Sequence, residues 1–209
     1  MSLYLGNIHY WLYNKILWFE ELEEAIAQCM EKQQDTAKDW IANVRDEFGE
    51  PTGGRPLEEV IDRMNIHGWL QSKITSAELR QAAMVTKFLE WNSVNKAELL
   101  RISAEEGKAA AADIDYKTAT PEESFNAVNN FILEGMPCDH VNRPVSSTPD
   151  EYVWETTTCL HKGYWDQVGG DVENFYEMRE AWLKAFVETL NPVFAYEKTG
   201  EGLNRIFRK

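Results

Sequence analysis

A segment that occurs twice restricts the fold of this chain more than any other feature. The ten residues Asn7–Ile16 return 58 positions later as Asn65–Ile74 with seven identities, and Glu20 matches Glu78 in the same frame. The identities include a His and a Trp, although the whole chain has only four His and eight Trp. This self-similarity predicts two helical units in equivalent positions about an approximate twofold axis.

The repeat has more than one interpretation. Related units can bring His9 and His67 together, with Trp11 and Trp69 beside them. These residues would then form a site that binds a flat cofactor, a small molecule or a metal ion. The repeat can also record packing alone, with its Ile, Trp and Leu residues in the core and each His satisfying a local hydrogen bond. A third interpretation is a structural oligomer, a homodimer in which the repeat forms the interface.

Composition narrows the classes of partner. The chain has 209 residues, of which 44% are hydrophobic, enough for one large domain or two small ones. Its formal net charge is 21 − 35 = −14, and such an acidic surface repels nucleic acid and anionic membranes. No apolar run reaches the roughly 18 residues of a membrane span, the first residues lack a signal-peptide pattern, and three Cys form no disulfide framework. A cytoplasmic protein is expected.

Periodicity predicts an α+β fold that is mainly helical. From residue 7 to about 112, apolar residues recur at helical steps, which predicts a bundle of four or five helices as domain 1–115. Within this bundle, Thr75–Glu78 has the pattern of a capping box and predicts a new helix start. Residues 113–120 mark the boundary with an α+β part, 116–209.

Strand formers dominate the start of that second part. Residues 138–142 and 151–159 are rich in them, and turn residues lie between, which predicts a β-hairpin over 138–159. A helix is predicted over Val172–Leu190, followed by a second hairpin near the C-terminus. The predicted fold is therefore an N-terminal helical bundle with an internal repeat, followed by a small antiparallel β-sheet with helices.

Two Cys-x-His pairs fall on the strands of the predicted 138–159 hairpin. A turn at Thr148–Pro149 places Cys138 opposite Cys159 and His140 opposite Thr157. Because side chains two apart share a strand face, the sequence predicts that one face carries a polar set, namely Cys138, His140, Asn142, Glu155, Thr157 and Cys159. His161 follows just beyond the paired stretch. The other face is predicted to be a core face, with Val141, Val145, Tyr152 and Trp154.

Several chemistries suit such a cluster. Cys159 can attack an acyl or amidine carbon while His161 or His140 moves protons and Glu155 orients an imidazole. The set Cys138, His140, Cys159 and His161 is also a competent tetrahedral zinc set, and two facing thiols can act as a redox pair. Buried Cys can equally be a small hydrophobic residue with no chemical role. The cofactor is unknown, and zinc is one candidate.

Residues 150–209 resemble a known family. A strand rich in acidic residues ends in Cys159, Tyr164–Gly170 precedes a helix through Tyr176, and Asn191–Thr199 is followed by Gly202. This order is similar to the C-terminal half of the 2-amino-thiazoline-4-carboxylate hydrolase-like family. The resemblance implies a helical part joined to a small α+β part, hydrolytic opening of a small ring containing sulfur and nitrogen, and a role for Cys159.

The leading expectation is a small-molecule hydrolase that cleaves a carbon–nitrogen bond of a small ring or amide-like substrate through the Cys/His cluster. In this interpretation the helical half forms a wall of the pocket with Trp11 and Trp69. The alternative is a non-catalytic sensor domain that binds a small molecule, a cofactor or a metal ion.

Overall fold

The chain is mainly helical with one small antiparallel sheet in the computed structural model, which describes residues 4–200 and 202–209. The helices are α1 (Asn7–Gln33), α2 (Ala37–Phe48), α3 (Leu57–Val60), α4 (Ile66–Trp91), α5 (Asn95–Ala112), α6 (Pro121–Val128), α7 (Lys162–Gln167) and α8 (Glu173–Leu190). The strands are β1 (Asn142–Ser147), β2 (Glu151–Thr156), β3 (Phe194–Lys198) and β4 (Leu203–Arg208), and they lie in the order β1-β2-β4-β3. The predicted α+β, mainly helical fold class is confirmed.

The two repeats form the N-terminal parts of α1 and α4, so the prediction that both are helical is confirmed. Near these ends His9 contacts His67, and further along Glu23 of α1 binds Arg80 of α4. Because contacts advance together along both helices, the helices run parallel. Equivalent residues of the two repeats therefore meet, as the sequence similarity predicts.

The apolar positions of the repeat lie in the core of the helical part. Leu12, Ile16, Leu70 and Ile74 are at most 2% exposed. The packing interpretation of the repeat therefore holds for these residues, while the two His side chains lie at the edge of the same helix pair.

The predicted helix start at Thr75–Glu78 is wrong, because α4 continues without a break through these residues. The side chains of the apparent capping box have tertiary contacts instead. The Thr75 hydroxyl lies 3.4 Å from the Tyr164 hydroxyl, and the Glu78 carboxylate binds His161. Long-range partners of this kind leave no local signal in a sequence.

Helix α8 connects two hydrophobic cores. Phe175 and Met178 pack in the core of the helical part, whereas Trp182 and Phe186 pack in the core beneath the sheet. Along its length α8 packs on α5, and the two helices approach closely at Gly107, where a Cβ would overlap the Trp182 carbonyl oxygen. The domain division at residues 113–120 stays a prediction.

The sheet confirms the second hairpin and corrects the first. Strands β3 and β4 pair as predicted. In the first hairpin β1 begins only at Asn142, which lies opposite Thr156, and the register shifts between Pro144 and Ser146. The predicted pairing is therefore wrong, and the difference arises at the turn, where Ser147 rather than Val145 lies opposite Tyr152. The bulge at Val145 then changes the register by one residue in the opposite direction.

The predicted faces change with the register. Tyr152 and Trp154 do point into the core, but Val145 is exposed and Asn142 shares a hydrogen bond with Thr156 on the Trp154 side. In the described part of the chain, no helix has the length and apolar composition required to cross a lipid bilayer.

Candidate functional site

A polar cavity of about 310 Å³ lies between the sheet and α8, and we call it the sheet cavity. Toward one end of the inner sheet face, polar residues replace the aromatic residues that fill the core. The lining includes Asn142, Thr156, Thr157 and Cys159 from the first hairpin and the loop after it, Tyr176, Arg179 and Leu183 from α8, Tyr196, Lys198 and Asn204 from β3 and β4, and Glu134.

Hydrogen bonds hold the polar floor of the sheet cavity. The Tyr196 hydroxyl donates to Asn204 Oδ1 at 2.7 Å, and Asn204 Nδ2 donates to Thr156 Oγ1 at 3.4 Å. Thr156 Oγ1 in turn donates to Asn142 Oδ1 at 3.0 Å. Burial raises the pKa of Tyr196, so its hydroxyl remains a donor at physiological pH. The floor is a chain of oriented donors and acceptors that crosses all four strands.

Cys159 is exposed and forms part of the cavity wall. It lies beyond β2, where the loop turns toward α7. The Lys162 backbone N–H donates to Cys159 Sγ at 3.3 Å, and the Tyr176 side chain also forms a hydrogen bond with this thiol. Burial and this hydrogen bond raise the pKa of Tyr176. Two donors therefore converge on the sulfur atom from protein groups.

His161 is buried, and both of its ring nitrogens have hydrogen-bond partners. Nδ1 lies 2.9 Å from Glu78 Oε1, Nε2 lies 3.2 Å from Glu134 Oε2, and the ring stacks on Phe175. Burial disfavours a charged ring, but the two carboxylates outweigh burial and raise the pKa of His161 to about 9. The ring is thus an imidazolium that donates to both carboxylates. It has no free nitrogen to accept a proton from Cys159.

Glu134 continues this charge network toward α8. Burial acts against its ionised form, but Arg179 and His161 outweigh burial and hold its pKa at about 2. One carboxylate oxygen faces His161 and the other accepts from Arg179, which also donates to the Leu133 carbonyl at 3.0 Å. The network Glu78–His161–Glu134–Arg179 ties α4, α8 and the loop before β1 together beside the sheet cavity.

The other members of the predicted Cys/His cluster are dispersed. Cys138 lies in a 3-10 turn, Pro137–Asp139, and His140 follows it with a left-handed backbone, φ 48°. Glu155 pairs with Arg143 on the face of β2 opposite the core. The structure therefore does not place these side chains beside Cys159, because the strand that was to carry them begins later. Their catalytic roles stay predictions.

The same dispersal bears on the predicted zinc set. Among the residues that the structure describes, no three side chains of His, Cys, Asp or Glu form a group that could hold a metal ion. Both nitrogens of His161 face carboxylates, and Cys138 and Cys159 do not oppose each other. The set Cys138, His140, Cys159 and His161 does not fit a tetrahedral zinc ion in this arrangement.

The repeated His residues, in contrast, do meet. His9 Nε2 and His67 Nε2 are 3.3 Å apart, and the Gly6 backbone N–H donates to His9 Nδ1 at 2.9 Å. In a neutral His9 ring this bond leaves the proton on Nε2, so His9 donates to His67. Beside them, the Trp11 and Trp69 rings each pair with the Lys four residues later, with Lys15 and Lys73 respectively.

Sequence reasoning missed the side chains that surround Cys159 and His161. Glu134 and Arg179 occur in no motif, and Tyr176 was noted only as part of a helix. The partners of these three side chains lie 17 to 45 residues away along the chain. One feature of the sequence pointed to Lys15: it matches Lys73 in the repeat. These residues are brought together by tertiary packing.

Fold and site together define a mainly helical α+β protein with a polar cavity between its sheet and α8. Comparisons with protein-family models, with curated proteins and with solved structures give no match. The resemblance of residues 150–209 to a hydrolase-like family therefore stays a proposal.

Proposed function

We propose that this protein binds a small polar molecule in the sheet cavity, against the thiol of Cys159. The observation that supports this most strongly is an exposed Cys159 in the wall of a cavity whose floor is a hydrogen-bonded polar chain. Ligand sites are concave and carry a few convergent polar groups. A volume of about 310 Å³ suits a ligand of the size of an amino acid or a small heterocycle.

The charges of the lining favour a ligand that is neutral overall. Arg179 pairs with Glu134, and Glu180 of the lining pairs with Lys184 outside it. The remaining charged side chains of the lining are Lys198 on β3 and Glu173 on α8. A ligand with both an amino and a carboxylate group would match these two opposite charges. A polyanion would meet the carboxylates without compensation.

A second candidate is hydrolysis of a carbon–nitrogen bond with Cys159 as the nucleophile. The convergence of the Lys162 N–H and the Tyr176 hydroxyl on its sulfur favours this candidate over inert packing. The attacking sulfur would form a bond to the ring carbon, and the carbon–nitrogen bond would break with its electron pair on nitrogen, which takes a proton from solvent. Water would then attack the same carbon and break the carbon–sulfur bond, which releases the product and restores the thiol. The thiol proton would pass to solvent, because His161 is already protonated.

Ligand protection tests the binding proposal. The protein is incubated with iodoacetamide at pH 7.5, alone and with members of a library of amino acids and small heterocyclic carboxylates, and alkylation of each Cys is followed by peptide mass mapping. A bound ligand is expected to slow alkylation of Cys159 but not of Cys138, which is also exposed but lies outside the sheet cavity. Equal effects on both thiols would contradict the proposal.

Matched substitutions separate binding from hydrolysis. Cys159→Trp would fill the sheet cavity and abolish binding measured by calorimetry, whereas Cys138→Trp would leave binding unchanged. Cys159→Ala removes the nucleophile but little of the lining, so binding should survive while any release of hydrolysed product stops. Turnover that persists in Cys159→Ala would exclude the hydrolytic candidate and leave the binding proposal intact.

A further inference from the structure

A second cavity, of about 200 Å³, lies on the other side of Glu134 and Asn142, which line both cavities. We call it the Lys15 cavity. It is formed where the N-terminal part of α1 meets the loop before β1, and its walls include Trp11, Lys15, Asn129 and His140. The proposed function does not involve this space.

Lys15 is only 5% exposed, and its Nζ lies 3.4 Å from the centroid of the Trp11 ring. Within the described residues, Lys15 has no hydrogen bond or ion pair in addition to this ring contact. The carboxylate of Glu134 lines the same cavity, but its hydrogen bonds and ion pairs are with His161 and Arg179 and not with Lys15. The amine thus lies buried against a cavity without an anionic partner of its own.

Burial of an ammonium without a paired carboxylate favours the neutral amine. Burial lowers the pKa of Lys15 to about 7, with Glu134 opposing the shift and Arg179 adding to it. His140 also lines the cavity. A neutral amine is a nucleophile, and a desolvated Lys is a recurrent device for forming Schiff bases with carbonyl compounds.

We propose that Lys15 is the reactive amine of a second site, which takes small aldehydes or ketones as an imine. The Nζ lone pair attacks the carbonyl carbon and the C=O π electrons move to oxygen, giving a carbinolamine. That oxygen leaves as water with the two amine hydrogens while the C=N bond forms. Asn129 and Asn142 supply amide donors in the same cavity for the carbonyl oxygen.

The internal repeat supplies a matched control. Lys73 is equivalent to Lys15, but it is half-buried and its Nζ lies 5.7 Å from the Trp69 ring centroid. Neither Lys15 nor Lys73 belongs to the sheet cavity. A difference in reactivity between these two residues therefore reports the cavity and burial rather than the local sequence.

Reductive trapping tests the proposal. The folded protein is incubated with propanal, and separately with pyruvate, in the presence of sodium cyanoborohydride at pH 7, and alkylated Lys residues are identified by peptide mass mapping. Lys15 is expected to be alkylated at least about tenfold faster than Lys73, because at pH 7 far more of the Lys15 amine is neutral than in an ordinary Lys. Mass mapping also separates Lys15 from the N-terminal amine.

Two further measurements vary the denaturant concentration and the pH. In urea the difference in alkylation rate between Lys15 and Lys73 should disappear, and in the folded protein the Lys15 rate should level off above about pH 7. If Lys15 reacts with propanal but not with pyruvate, the ligand is a neutral carbonyl compound. If it reacts with pyruvate but not with propanal, the ligand is a 2-oxo acid. Equal rates for Lys15 and Lys73 in the folded protein with both probes would overturn the proposal.

Discussion

At the residue scale, buried charges are held by specific partners rather than by solvent. Arg80 is fully buried and donates to both oxygens of Glu23 at 2.9 and 3.0 Å, to Glu20 at 3.0 Å and to the Gly49 carbonyl at 2.7 Å. Glu20 also accepts from the Thr52 backbone N–H. The guanidinium therefore links α1, α4 and the loop after α2 through one side chain.

Arg80→Met is expected to lower the free energy of unfolding by roughly 3–5 kcal/mol, because it leaves two carboxylates buried without their cation. Urea denaturation at pH 7 measures the loss. Arg101→Met is the control, since Arg101 pairs with Glu98 and Glu105 on the surface, where an ion pair contributes about 1 kcal/mol or less. Similar losses in the two variants would contradict this role of burial.

His161 makes the stability of the protein depend on pH, and the sign of this dependence follows from its pKa. Its pKa of about 9 in the fold lies above the ordinary value of 6.5, so its contribution is complete below pH 6.5 and is lost as the pH rises toward and through 9. A shift of this size corresponds to roughly 3 kcal/mol. The free energy of unfolding of the wild-type protein should therefore exceed that of His161→Gln at pH 6.5, and this difference should decrease as the pH rises to 9.

Urea denaturation of both proteins at several pH values measures that difference. Lys15 has the opposite tendency, because its lowered pKa adds stability as the pH rises above 7. Since Lys15 is common to both proteins, its contribution largely cancels in the difference. A difference that is constant from pH 6.5 to 9 would show that His161 is not held as a cation.

At the scale of elements, close packing of α5 on α8 depends on small side chains. Gly107 and Ala110 lie on the α5 face toward Trp182, and Ser103 on the same helix is fully buried. A larger residue at Gly107 would force the two helix backbones apart, because the obstacle is the Trp182 carbonyl rather than a flexible side chain.

Gly107→Ala is expected to destabilise the protein by about 1–3 kcal/mol, the usual cost of overpacking, despite the better helix propensity of Ala. Gly163→Ala in α7 is the matched control, since a Cβ there meets no atom within 4 Å, and it should be neutral or stabilising by up to about 1 kcal/mol. Thermal unfolding of both variants provides the comparison. A stabilised Gly107→Ala protein would show that α5 and α8 can separate freely.

Elements with local signals were predictable, and their register was not. The repeat predicted α1 and α4 because helical periodicity depends on neighbours three and four residues apart. The hairpin register depended on the length of the turn and on the bulge at Val145, and strand propensity reveals neither. The Glu78 partner of His161 lies 83 residues away, so the sequence identified the His but not the network that occupies it. The sequence also identified Cys159 as a candidate, and the structure shows it exposed in the wall of the sheet cavity; its catalytic role stays a prediction.

At the scale of the whole molecule, two hydrophobic cores share helix α8. Phe88 packs in the core of the helical part and Phe186 in the core beneath the sheet, and both are fully buried. Because α8 contributes side chains to each core and contacts α5 along its length, neither core is complete without the other half of the chain. The molecule should therefore unfold as one cooperative unit.

Phe88→Ala and Phe186→Ala are each expected to cost about 3–5 kcal/mol. In both variants, tryptophan fluorescence and far-UV circular dichroism should follow one coincident urea transition at a lower midpoint. Two separated transitions in either variant would instead support independent units divided near residues 113–120.

The bulged strand β1 also determines how the sheet meets other molecules. β1 is an outer strand, and an outer strand exposes backbone groups that can template aggregation with another chain. Pro144 offers no N–H, and the irregularity that follows it interrupts the straight ladder a neighbouring strand would need. This margin of the sheet is thereby protected against growth by strand addition, whereas β3 at the opposite margin pairs with β4 without such an interruption.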